Sequence, residues 1–283
     1  MPRLVLALIL VFSLPAPAVA AGPVSVPDAP AVSARARDAV RPVREAIAAE
    51  EAALKALPPP VSDAERLVRL GRLDQAARAA LYDLDLSRLD GAERGAALGL
   101  AWGWVEAVDR RNQAALRALL PRDGAWFTRS SVGAEAAEAA WLVVIHAVGD
   151  RRLMREALRR MSPLVGTGEI EAGWYAGLYD RLAVLEGRPQ RYGTQPVCRR
   201  GQWTAGEVED PDGLAARRAA LGLEAPDTRD WRPPPGCGVR LCGRASFATL
   251  AQGSLLRMTK GRGTHRLRHP EERTLRSASR RTQ

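Results

Sequence analysis

The 283-residue sequence predicts an all-α fold: a single multi-helix domain with one irregular polar loop, a signal peptide before it and a disordered basic tail after it. Three observations predict this. Capping residues repeatedly stand just before apolar residues at helical spacing. No sustained apolar–polar alternation of the kind that marks strands occurs, and no repeat of fixed period is present. The segment 62–224 is long enough to bury one sizeable core.

Met1–Ala20 has the parts of a secretory signal. Arg3 is the basic end, Leu4–Leu14 is apolar apart from Ser13, and Ala18-Val19-Ala20 is a small-x-small cleavage site. The expected location is periplasmic or secreted, with no membrane span after cleavage, because the apolar run is shorter than the roughly 20 residues a bilayer requires. Residues 21–61 are rich in Pro and Ala and end in Pro58-Pro59-Pro60. They read as a tether containing one short helix near Val43–Leu57.

The helical domain opens at Ser62, an N-cap with Glu65 at the third position. Gly71 interrupts that helix, and Asp74 is placed to cap a second one through Tyr82. Asp90 and Glu93 repeat the capping pattern before Leu98, Trp102 and Val105. Asp109 and Asn112 punctuate the pattern, and Leu116, Leu119 and Leu120 resume it. A loop over 122–131 leads to the alanine-rich stretch Gly133–Val148, read as a central helix packed on several sides. Asp150 caps a helix carrying Leu153, Ala157, Leu158 and Met161. After the break at Pro163–Gly168, Trp174, Leu178, Leu182 and Leu185 form one helical face. That helix runs into G-R-P-Q-R-Y-G-T-Q at 187–195, dense in hydrogen-bonding groups and poor in core formers. Residues 202–209 read as extended, Asp212 caps a last helix, and Gly222 ends it.

The net charge of +10 is unevenly placed. From Trp231 onward there are 12 basic and 2 acidic residues, so the preceding chain holds 30 of each and is neutral. Lysine occurs only at positions 55 and 260, and few aromatics accompany the tail arginines, which argues against nucleic acid as a partner. The tail, 225–283, has lost apolar periodicity and reads as disordered, with a frameshift or run-on near Glu224 as one origin. Cys198, Cys237 and Cys242 cannot all pair with one another.

Several segments together resemble an exported bacterial family catalogued as domain of unknown function 6624, over about residues 62–224. They are Asp74-Gln75 with Arg78, Asp109 with Asn112, the turn Gly124–Thr128, Ala140-Trp141-Leu142 leading to His146, Asp180-Arg181, Q-R-Y-G-T-Q at 190–195, and Arg217-Arg218 before Gly222-Leu223. Ile145 departs from the family pattern, which has Gln before the histidine. The resemblance implies export and carries no assigned activity.

The candidate chemistry centres on His146, the only histidine of the domain. It is the candidate catalytic acid or base, because an ordinary imidazole titrates near neutrality; the alternative is a core histidine satisfied by its neighbours. Candidate ligand-binding residues are Arg78, Arg181, Gln190, Tyr192, Thr194, Gln195 and Arg217, serving an unknown small molecule or peptide. Arg78 either forms an exposed i,i+4 pair with Asp74 or points inward beside His146. The loop residues either meet a ligand or brace the helices, with Gly193 at positive φ. Thr128, Ser130 and Ser131 include a nucleophile only beside a base, and otherwise make turn hydrogen bonds. No metal and no cofactor are expected, since ligand clusters, phosphate loops and dinucleotide fingerprints are missing. Three functions remain open: an acid–base enzyme, a small-ligand or peptide binding module, and an envelope interaction protein whose polar residues only brace the fold.

Overall fold

The computed structural model describes residues 32–199 and 202–224. The segment expected to be a signal peptide, and the basic tail with its cysteines and histidines, lie outside the described residues. The described chain is mostly helical, as predicted. Its order is α1 (Ala34–Ala56), α2 (Asp63–Tyr82), α3 (Gly91–Leu119), α4 (Arg129–Val132), α5 (Ala134–Ile145), α6 (Arg151–Met161), a 3-10 turn (Ser162–Leu164), α7 (Ala172–Leu185), strands β1 (Pro196–Arg199) and β2 (Gln202–Ala205), and α8 (Leu214–Ala219).

The predicted tether is where sequence and structure part first. Residues 34–56 are one helix, and Ala36, Val40, Val43 and Ile47 are buried on it. Their spacing places them on one side of α1, which packs against α2 and α3. The Pro/Ala composition masked that stripe. Ser33 caps the helix by accepting from the Ala36 amide.

α2 is also longer than predicted, because Gly71 does not break it. The glycine sits mid-helix where α2 meets α5, and a Cβ there would lie 2.7 Å from the Ala139 methyl. Close approach of two helices, not backbone freedom, is what requires glycine at this position. Asp74 is consequently an interior residue of α2 and caps nothing. The same holds in α3, whose 29 residues run uninterrupted through Asp109 and Asn112. Ser62 and Asp90 do cap as predicted; Asp90 forms a full capping box with Glu93. Asp150 caps α6 by accepting from the Leu153 amide.

Two apolar clusters result. One joins α1, the second half of α2 and the first part of α3 through Val40, Leu81, Leu98, Trp102 and Val105. The other joins the start of α2, the end of α3 and α5–α7 through Leu67, Leu116, Val144, Leu153 and Leu178. Trp141 and Trp174 stack within it at 5.4 Å, and the Trp141 indole donates to the Trp174 carbonyl. α2 and α3 belong to both clusters. Between their apolar stretches lie Asp74, Arg78, Asp109 and Asn112, so the polar residues occupy a seam between two hydrophobic units.

The chain after α7 is a short antiparallel hairpin, β1 with β2, followed by α8. Residues 202–205 are therefore extended as expected, although Gly213 rather than Asp212 precedes α8. Gly222 has φ +65°, the left-handed turn expected after the helix.

Candidate functional site

The residues singled out from sequence lie in two connected polar clusters. The first is the seam. Asp74 and Arg78 are one turn apart on α2, and the Arg78 Nη1 donates to Asp74 Oδ1 at 2.8 Å. The other arm of the guanidinium donates to both oxygens of Asp109 on α3, at 2.8 and 2.9 Å. From α5, His146 Nδ1 lies 2.9 Å from Asp74 Oδ1. A carboxylate only accepts, so Nδ1 carries the hydrogen. Gln75 donates to the remaining Asp74 oxygen at 2.7 Å. Asn112 donates to the Leu70 carbonyl. Arg78 thus points inward, beside His146, and is not the exposed helix pair that its spacing also allowed.

Burial decides the electrostatics. Arg78 is 1 % exposed, Asp74 not at all, and His146 3 %. For Asp74, burial pushes the pKa up, but the Arg78 charge and the hydrogen bonds from His146 and Gln75 outweigh it, leaving the group below the usual carboxylate range. Asp109 goes the other way. Burial dominates there and, with the Asp74 charge nearby, raises it to about 7 despite Arg78. One guanidinium serves two carboxylates, and only one of them is held firmly ionised. Burial, reinforced by the Arg78 charge, pushes His146 down to about 4, so its ring is neutral at ordinary pH.

The second cluster shapes the loop 187–195, and Asp180 on α7 is its organiser. Its carboxylate accepts from the Arg191, Tyr192 and Thr194 amides and from the Thr194 hydroxyl, all within 2.7–3.0 Å. Gly193 sits inside this wrap at φ +63°, a conformation costly for other residues. Gln190 and Gln195 clamp one another reciprocally: the Gln190 side chain accepts from the Gln195 amide and donates to its carbonyl. The Gln190 backbone also bonds Glu207 and Glu209, pinning the loop to the chain after β2. Arg217 donates to the Arg191, Glu209 and Asp210 carbonyls and pairs with the Asp210 side chain. Arg218 is buried and donates to the Tyr192 carbonyl.

Arg181 couples the two clusters. It is fully buried, donates from Nε to Gln195 Oε1 at 3.0 Å, and from Nη1 to the Ile145 carbonyl next to His146. Burial lowers its pKa to about 9. Tyr82, at the end of α2, feels both Arg78 and Arg181, yet burial still raises its hydroxyl to about 12.

The structure therefore places His146 and Arg78 in the seam and Arg181 and Gln195 in the adjoining cluster, the two meeting where Arg181 bonds the Ile145 carbonyl next to His146. Gln190 and Thr194 join the second cluster from the loop. Tyr192 and Arg217 stand apart from His146: Tyr192 packs edge-on against Tyr179, and Arg217 faces the outer side of the loop. Thr128, Ser130 and Ser131 make the capping box of α4 and bond Glu169, with no histidine among their partners. Among the described residues no group of three or more His, Cys, Asp or Glu is placed to hold a metal. A cavity of about 620 Å³ lies elsewhere, lined by Leu57, Pro59, Val61, Val68, Val132 and Ala136, and none of the predicted residues reaches it.

Sequence reasoning missed three central residues. Asp74 and Asp109 resemble helix caps when read locally, and Asp180 carries no local signal. No protein-family profile, curated protein or solved structure matches the chain.

Proposed function

We propose that this chain is an exported, non-catalytic helical interaction protein in which the buried polar residues brace the fold and set the loop 187–195. One observation carries this reading: His146, Arg78, Arg181, Gln190 and Gln195 are all at most 3 % exposed, and their hydrogen bonds run to groups of the protein itself, His146 and Arg78 to Asp74 and Asp109, Arg181 to Gln195 and the Ile145 carbonyl, and Gln190 to the Gln195 backbone. A general acid or base must reach a substrate proton, and it works best when its pKa lies near the operating pH. His146, enclosed and held at about 4, meets neither condition. The outer surface is then what is left to work with. No described helix is long and apolar enough to cross a membrane.

Membership of the exported family with the Q-R-Y-G-T-Q motif belongs to the same proposal. Its support is spatial: pattern residues far apart in sequence come together in two adjoining buried clusters, Asp74, Arg78, Asp109 and His146 in one, Arg181 and Gln195 in the other. Location outside the cytoplasm rests on the pattern of Met1–Ala20.

A second reading, a small-ligand binding module, is favoured by one observation. Tyr82 Oη and Arg78 Nε are buried without hydrogen-bond partners beside the seam. A small polar guest would satisfy both groups.

The two readings separate in a melting experiment on the full chain. A brace predicts that His146→Gln lowers stability by about 1–3 kcal/mol, since Asp74 loses a buried donor. For a domain of this size that is a drop of several degrees in Tm. Unchanged melting, together with a ligand-induced shift present in the wild type and lost in the variant, would replace the brace with a working site. The probes are cell-envelope metabolites and short peptides.

A further inference from the structure

α6 carries a feature that the buried network does not explain. Five of its eleven residues are arginine and one is acidic. At about 100° per residue, Arg151, Arg155, Arg159 and Arg152 fall within roughly 100° of arc and along about 12 Å of helix axis. The opposite side, with Leu153, Met154, Ala157 and Met161, is buried in the core. All four stripe arginines are exposed.

Their partners are few. Arg155 pairs with Glu186, which also takes Arg188 from the end of α7. Arg117 pairs with Asp150 at the start of α6, adding another cation at the margin. Arg151, Arg152 and Arg159 make no ion pair and no side-chain hydrogen bond among the described residues. Arg160, the fifth, is structural: it pairs with Glu156 and donates to the Pro121 and Ala125 carbonyls.

α1 is the internal comparison. It has five basic residues too, but four acidic ones among them, and Arg35 and Arg41 are tied to Glu93, Asp38 and Glu45. A helix can therefore be arginine-rich in this protein and still be neutralised. α6 is not.

We infer that the exposed arginine stripe of α6 is a docking surface for an anionic lipid bilayer. The argument rests on charge complementarity and shape. The stripe lies along the outer side of one helix, on the curved surface of its cylinder. Laterally mobile headgroups can gather around a convex cationic ridge, each basic side chain near the surface adding favourable free energy. The apolar side of α6 is already packed in the core, so contact is electrostatic and peripheral, without insertion. The exposed arginines have no interleaved aromatic side chains on α6, so stacking on bases is not provided for. The inference rests on the interaction reading above and names the partner of that outer surface.

The test is co-sedimentation of the full chain with phosphatidylcholine vesicles containing about one-third phosphatidylglycerol, against phosphatidylcholine alone. The wild type is expected to partition onto the anionic vesicles and to leave them at about 0.5 M salt. R151Q/R152Q/R159Q removes three charges without breaking a described contact. It is expected to lower the partition coefficient on the order of 100-fold. R37Q/R41Q/R44Q on α1 removes the same number of charges and is expected to keep most of the binding, whatever the basic tail adds to all three proteins. Equal loss in both variants, or loss in neither, would overturn the stripe as the docking surface. Retention of the wild type by soluble polyphosphate but not by vesicles would overturn the choice of partner. Either failure leaves the His146→Gln melt untouched, so the brace and the docking surface stand or fall separately.

Discussion

Asp74 and Asp180 are both fully buried aspartates on long helices, and they are neutralised in opposite ways. Asp74 is matched by side chains from two helices: Arg78 and Gln75 on its own, and His146 at the end of α5. Asp180 is matched mostly by backbone amides of one loop. A carboxylate answered by side chains ties helices to helices. One answered by amides dictates the path of a chain that has no regular structure. The first sort of contact is long-range and the second nearly local, so their loss should look different.

The largest difference comes from the charge the seam depends on. Arg78→Met leaves Asp74 and Asp109 buried beside each other with no cation between them. Removing one partner of a buried pair costs about 3–5 kcal/mol. Urea unfolding should show this loss over the whole domain, with every probe moving together. A loss below about 1 kcal/mol would mean that the seam is wet or rearranges easily.

Asp180→Asn should cost less, about 2–3 kcal/mol, since hydrogen bonds to a charged acceptor are replaced by weaker ones and an amide NH₂ meets amide donors. The effect is expected to concentrate in the loop. Amide exchange should accelerate at Arg191, Tyr192 and Thr194 while α2 and α3 keep their protection. Uniform acceleration across the domain would erase the distinction between the two aspartates.

A smaller effect tests whether the seam depends on the approach of α2 to α5. Gly71→Ala drives a methyl to within 2.7 Å of the Ala139 methyl, and overpacking of this sort costs about 1–3 kcal/mol. The double variant with Ala139→Gly should recover most of it. Failure to recover would assign the glycine a role other than close approach.

These residues also mark what could be read without a structure. The apolar stripes of α3, α6 and α7 repeat with helical period, so the helices carrying them were legible. α1 was half legible, because Pro and Ala composition suggested a tether while Val40, Val43 and Ile47 carried a buried face. The seam was not legible as a seam. Asp74, Asp109 and Asn112 are residue types favoured at helix ends, and a local rule assigns them there. Only the neighbour across the helix interface reveals that they lie mid-helix and inside. Gly71 misled in the same way: as punctuation it ends a helix, but packed on Ala139 it lets the helix continue. The loop was conspicuous from its polar density, yet whether those groups face a ligand or one another depends on Asp180, eleven residues before Arg191.

The finest comparison is within the seam itself, between His146 and Asp109, and pH separates them. His146 has a folded pKa of about 4 against an ordinary 6.5, so below 6.5 the unfolded chain takes up the proton first. Its contribution to stability is complete above 6.5 and is lost as pH falls toward 4. Asp109 has a folded pKa of about 7 against 3.8, so the folded chain holds the proton longer. Its contribution is complete below 3.8 and is lost as pH rises toward 7. Between roughly 4 and 6.5 the two slopes oppose each other, and the wild type should show little net dependence from this pair. Each variant exposes the other group. His146→Gln removes the rising slope, and stability should then fall as pH increases from about 4 to 7. Asp109→Asn removes the falling slope, and stability should climb over the same range. Urea titrations at a series of pH values, with each variant's change from pH 4 taken relative to the wild type's, cancel the carboxylates common to all three proteins. A His146→Gln profile as flat as that of the wild type would mean that Asp109 stays ionised throughout, paired to Arg78 as firmly as Asp74 is.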